Sequence, residues 1–243
     1  MTLYQDAHLH IAFGSALSIS TEIGRVFLNS TGPSDYSAVK SASEHSTDVI
    51  PFYGLHPWHV RNESFSAQLL SSILKASPSA GIGETGLDSS PQYKPDIGRQ
   101  LSLFRVQIEL ASSLARPVSV HCVRSWQLLF NILERHVPLK KPFILHSFYG
   151  SKEVLEHLLK YGAYISISSL SLRNPQRSYP VIEAVPLDRL LIESDMICGS
   201  KGFSAVSHLQ ELKNIYNEAS GILGISESEL AARIWDNGTI FTN

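Results

Sequence analysis

The stretch LYQDAHLHIAF, residues 3–13, decides how the rest of the chain is read. Side chains along a β-strand alternate with a period of two, so His8 and His10 share one face. Ala7, Leu9 and Ile11 occupy the other positions, as expected of a strand buried on both sides. Two imidazoles on one face of a buried strand need polar partners or a cation. Which of these they meet depends on what the remaining strands bring to the same place.

Seven further β-like runs follow: 25–29 (RVFLN), 49–54 (VIPFYG), 80–84 (AGIGE), 117–121 (PVSVH), 142–146 (PFILH), 163–168 (AYISIS) and 189–194 (RLLIES), after a first run at 3–10. Helix-length segments separate most of them. In RQLSLFRVQIELASSLAR, Leu101, Phe104, Ile108, Ala111 and Ala115 recur at helical spacing. SKEVLEHLLKYG offers Ser151 as an N-cap and Gly162 just past the C-terminus. SHLQELKNIYNEASGIL repeats the pattern through Leu209, Leu212, Ile215, Ala219 and Ile222. Parallel neighbours need crossovers of this length, so the alternation predicts an α/β chain folded as a (β/α)8 TIM-type barrel. A doubly wound open sheet is the alternative. Residues 11–24 are Ser-rich and too short for a helix with loops, so the first crossover is expected to be curtailed. No linker-like segment divides the chain, and residues 1–243 read as a single barrel domain.

Polar residues cluster at the ends of these runs. His8 and His10 close the first, Glu84 the fourth, His121 the fifth and His146 the sixth, and Asp195 follows the eighth. The C-terminal ends of barrel strands converge on one face, where active sites are built. Imidazoles suit Zn²⁺ and similar ions, whereas the carboxylates also admit Mg²⁺ or Mn²⁺. Six such ligands exceed the needs of one tetrahedral ion. They suit two divalent ions sharing a carboxylate, with positions left for water and substrate.

Composition narrows the classes. No long apolar run suggests a membrane span. The opening MTLYQDAH lacks the basic and apolar regions of a secretory signal. Two cysteines, Cys122 and Cys198, make no disulfide framework, and a reducing, cytoplasmic location is expected. A net charge of −2 argues against a broad basic surface for nucleic acid, while leaving room for a phosphate held by bound cations.

With these segments in view, the chain resembles the TatD-like metal-dependent hydrolases and deoxyribonucleases. DAHLH resembles that family's D-x-H-x-H, GLHPW (Gly54–Trp58) its G-x-H-P, and GIGETGLD (Gly81–Asp88) its G-E-x-G-L-D. PVSVHCVR, ILHSFYG and LLIESDM are similar to three later blocks, in the same order. The resemblance implies that His8, His10, Glu84 and Asp195 hold one ion. Glu84, His121 and His146 would hold the other, with Glu84 bridging. It also implies a phosphodiesterase acting on DNA ends or a small phosphodiester, with Glu84 and Asp195 as catalytic groups and Asp195 taking a proton from water. No membrane and no stable protein partner are implied. Two departures stand out. The arginine after the fifth strand is Arg124, one residue later than in the family's His-x-Arg, a form that occurs in some branches. After Asp195 the chain has Met196-Ile197 and a short CGSKGFSAVS in place of the family's longer loop.

Further residues are assigned more loosely. His56 is either a substrate contact or ligand-orienting group, or a core histidine bonded to backbone. Asp88 either orients a ligand histidine or caps a helix. Arg124, Ser147 and Tyr149 are candidate phosphate contacts. His45, His136, His157 and His208 lie on helical stretches and are expected to face solvent. His59 falls near the mouth without a defined partner. Cys122 is expected in the core, facing away from the ligands, and Trp58 is read as packing before base stacking. Gly83 and Gly86 in GETG do not match a phosphate-cradling loop. An amidohydrolase-type lactonase, esterase or amidase is a competing reading, although many such enzymes bridge their ions with a carboxylated lysine where this chain has Glu84. A non-catalytic binding module is a third, opposed by the cost of retaining six buried polar groups.

Overall fold

The computed structural model describes residues 3–136 and 139–243. The apolar runs form the parallel strands β1 (Tyr4–Ile11), β2 (Ile23–Asn29), β3 (Val49–Tyr53), β4 (Gly81–Asp88), β5 (Val118–Val123), β6 (Phe143–Leu145), β7 (Tyr164–Ile167) and β8 (Leu190–Ile192). They pair in chain order, each with the next. The sheet curls until its ends meet. Ser194 N donates to Asp6 Oδ1 at 3.0 Å and Asp195 N to His8 O at 3.0 Å. An unforeseen short strand, β9 (Ile197–Cys198), then pairs with the end of β1. The curled TIM-type arrangement is therefore present, and the open doubly wound sheet is not.

Helices cover the outside: α1 (Tyr36–His45), α2 (Ala67–Ala76), α3 (Ile97–Leu114), α4 (Trp126–His136) and α5 (Lys152–Lys160). Two short ones, α6 (Ser169–Leu172) and α7 (Pro175–Ile182), follow β7, and α8 (Ala205–Leu223) and α9 (Glu227–Thr242) end the chain. Ser151 caps α5 by accepting from Val154 N, and Gly162 adopts φ +77° beyond its end. Residues 12–22 contain neither helix nor strand, the curtailed first crossover. No helix among the described residues is long and apolar enough to cross a membrane.

Phe241 of α9 packs against Phe27, Phe52 and Tyr164 from strands on different sides of the barrel. Tyr164 opens β7, so this plug lies at the end remote from the strand termini that carry His8, His121 and His146. The buried face of α3 includes Phe104, Ile108 and Ala111 but also Gln100 and Gln107. These amides are not misplaced polar groups. Gln100 Oε1 accepts from Asp88 N and Gln107 Oε1 from Leu55 N, each at 2.8 Å, anchoring two segments that lead to the site.

Register shifts interrupt the regular strand pairing, one at the start of β1 between Tyr4 and Gln5 and two nearer the site. Between Asp6 and Leu9, β1 advances three residues while β2 advances two, from Val26 to Leu28. Between Ile82 and Thr85, β4 likewise advances three residues while β5 moves from Val118 to Val120. Such bulges re-aim side chains. One sits at His8 and the other at Glu84.

Candidate metal centre

Glu84 is 2% exposed, and imidazoles surround its carboxylate. Oε2 lies 3.1 Å from both His8 Nε2 and His10 Nε2. Oε1 lies 2.8 Å from His121 Nδ1, 2.9 Å from His146 Nε2 and 3.0 Å from His56 Nε2. The two oxygens thus divide five rings into two groups. Ring nitrogens also face one another, His8 Nε2 and His10 Nε2 at 3.0 Å and His121 Nδ1 and His146 Nε2 at 3.1 Å. Despite its three near neighbours, Glu84 Oε1 has no hydrogen-bond partner of acceptable geometry. Ring nitrogens and carboxylate oxygens converging this closely in a buried site, with Oε1 left without a hydrogen-bond partner, fit divalent cations. The donor set therefore fits a metal.

The far nitrogen of each ring is held in place. His8 Nδ1 meets Ser119 Oγ at 3.0 Å, and His10 Nδ1 meets Asn29 O at 2.9 Å. His146 Nδ1 lies 3.2 Å from Glu193 Oε1, and His121 Nε2 lies 3.3 Å from Asp88 Oδ2. Outer partners of this kind fix ring orientation and tautomer at metal sites. Asp195 Oδ1 stands 3.9 Å from His10 Nε2, at the edge of a cavity of about 270 Å³ that Glu84 also lines. Its backbone is left-handed at φ +54°. A non-glycine residue rarely adopts that conformation without surroundings that enforce it. Here Asp195 N bonds to His8 O and sets the turn.

Burial dominates the electrostatics. It drives His8 well below the ordinary imidazole range and His56 down to about 4, keeping both rings neutral as metal ligation requires. For His10, His121 and His146 burial acts in the same direction, but hydrogen bonds and the Glu84 charge outweigh it and raise them. Glu84 is the converse: burial opposes its charge, and the surrounding histidines hold it well below the usual carboxylate range.

Six residues selected from the sequence as candidate ligands, His8, His10, Glu84, His121, His146 and Asp195, come together at one end of the barrel. His56 joins them on Glu84 Oε1, a contact to a candidate ligand rather than the backbone-bonded core position that was the alternative. Asp88 faces His121 and also forms a turn by accepting from Ser90 N at 2.8 Å, and it caps no helix. His59 lines the cavity, and Cys122 lies in the core. The phosphate-contact candidates are not among the groups packed on Glu84. Arg124 is exposed with φ +52°, Ser147 pairs with Ser168 Oγ at 2.6 Å, and Tyr149 stacks under Arg177 at 5.0 Å. His45 and His157 are exposed and His136 partly so, but His208 does not face solvent. It is fully buried against Asp6, because the inward face of α8 is rotated to include it. Asp6, Glu193 and His208 were all missed. For Glu193 a signal existed, since a buried ligand histidine needs a second partner and IESD offered a carboxylate two residues before Asp195.

A family model described as TatD related DNase matches residues 5–241. The 3'-5' ssDNA/RNA exonuclease TatD of Erwinia tasmaniensis is 31% identical over 161 residues, 65% of this chain and 62% of that enzyme's length. The chain thus spans under two thirds of that relative. The uncharacterized metal-dependent hydrolase YjjV of Escherichia coli is 28% identical over 71% of this chain and 68% of its own. The crystal structure of YjjV superposes with a TM-score of 0.85 at 24% identity, covering 99% of this chain and 98% of that one. That likeness speaks to the fold.

Proposed function

The chain belongs to the TatD-related DNase family, and from that premise we propose that it is a divalent-metal-dependent phosphodiesterase acting on nucleic-acid ends. One observation carries the reading. A buried carboxylate splits its two oxygens between two groups of imidazoles, beside an open cavity rimmed by Asp195. His8, His10, Glu84 and Asp195 would hold one ion, and Glu84, His121 and His146 a second. His56, at 3.0 Å from Glu84 Oε1, stands beside the second group. When bound, such ions supply Lewis-acid activation of water and charge stabilisation on a phosphoryl oxygen.

The protein's own groups do the rest. Glu84 fixes the spacing of the two groups because both its oxygens are committed. Asp195 is the more exposed of the two carboxylates that line the cavity, and it would accept a proton at Oδ from an attacking water. Glu193 and Asp88 hold His146 and His121 in one orientation. The Erwinia relative's name specifies single-stranded DNA and RNA, and the absence of a net positive charge here favours a substrate gripped locally over a long duplex gripped through many phosphates.

A hydrolase panel on metal-stripped protein, resupplied with Mg²⁺, Mn²⁺ or Zn²⁺, tests this. Single-stranded DNA, RNA, duplex DNA, an aryl phosphodiester and a lactone form the set. Hydrolysis of single-stranded ends ahead of closed circular duplex is expected. Activity on the lactone and on no phosphodiester would overturn the substrate assignment.

A further inference from the structure

Trp58 is a large aromatic that is 45% exposed, on the rim of the cavity that holds Glu84. Exposed aromatic side chains are usually mobile, but this one is fixed on several sides. Its indole Nε1 donates to Asp88 Oδ2 at 2.6 Å. One face of the ring is stacked on Tyr93, with centroids 4.9 Å apart and planes 11° from parallel. The ring also meets His56 edge-on at 4.8 Å. The same Asp88 oxygen lies 3.3 Å from His121 Nε2, so one carboxylate orients both the indole and a candidate ligand. Ile197, 46% exposed, lines the same cavity.

An indole held rigid with an open area beside a hydrolytic centre has lost the entropy that a stacking partner would otherwise cost it. We propose that Trp58, backed by Tyr93, is the platform on which a nucleobase next to the scissile phosphate stacks. The platform reads a base by its π-face, so it accepts any of the bases while rejecting diesters that carry none. This rests on the phosphodiesterase reading above and assigns the element that selects nucleic acid over simple diesters.

Two variants separate the ring from its hydrogen bond. Trp58→Phe and Trp58→Leu both lose the donor to Asp88, but only the first keeps a flat aromatic face. KM and kcat are measured for a short single-stranded oligonucleotide and for the same backbone with abasic sites at its terminal positions, with bound metal assayed in each protein. The inference predicts that wild-type protein prefers the base-bearing strand. Trp58→Leu should raise KM for that strand at least about fivefold over Trp58→Phe, the lower end of one base–aromatic stack. The two variants should be alike on the abasic strand. Equal KM values for the two variants on the base-bearing strand, or equal KM of wild type for both strands, would overturn the platform and leave the phosphodiesterase reading intact. No hydrolysis of either strand by metal-loaded wild type would remove that reading, and the platform with it.

Discussion

His208 Nε2 lies 2.7 Å from Asp6 Oδ2, and both side chains are completely buried. The pair joins α8 to β1 two residues before His8. Asp6 also accepts from Ser194 N at 3.0 Å, Ser194 Oγ at 2.7 Å and His8 N at 3.1 Å. One carboxylate therefore ties the start of the His8–His10 segment to the residue immediately before Asp195. His208→Ala should destabilise the fold by about 1.5–3 kcal/mol, the scale of a hydrogen bond to a charged group. Denaturant melts of the metal-free protein check this, with His208→Gln recovering part of the loss. Wild-type stability in His208→Ala would mean that the contact is not maintained in solution.

Gly86 faces His121 across β4 and β5 and has φ +146°. A Cβ there would meet the His121 carbonyl oxygen at 1.9 Å, which is backbone and has nowhere to go. The glycine of GETG thus serves strand approach beside His121, a candidate ligand. Gly86→Ala should lower the melting temperature and weaken metal retention together. Unchanged values for both would show that the two strands can separate freely at this point.

Asp195→Asn keeps the shape of the side chain and removes its basic oxygen. Turnover should fall by about 10² or more, the size of lost general-base help, while KM changes less. Steady-state kinetics at saturating metal are the check. Turnover within a few-fold of wild type would exclude Asp195 as the proton acceptor.

Much of the barrel was legible because apolar runs and helical periodicity alternate along the chain, and because strand-end histidines are rare enough to stand out. The bulges at His8 and Glu84 were not legible, since nothing local in DAHLH or GIGETG announces an extra residue. Asp6 illustrates the consequence. Strict alternation puts it on the same face as His8, yet the bulge lets Asp6 turn toward α8 while His8 turns inward. His208 was misread because its partner lies 202 positions away and periodicity fixes a helical face only to within a residue or two. The left-handed backbones of Arg124 and Ser147, at φ +52° and +46°, were likewise not legible, since nothing in the local sequence announces them. The two readings of His56 could not be separated from sequence because the loop that carries it to Glu84 is held by Gln107, a contact no local pattern encodes.

Each oxygen of Glu84 faces a different group of imidazoles, so in the proposed function Glu84 would serve both ion positions. Metal analysis of wild type and Glu84→Ala, each equilibrated with excess Mn²⁺ or Zn²⁺ and then desalted, tests it most directly. Wild type should retain close to two ions per chain, and Glu84→Ala should lose occupancy at both positions, whereas His146→Ala should lose chiefly one. Equal retention by wild type and Glu84→Ala, or a single ion in fully loaded wild type, would contradict the account.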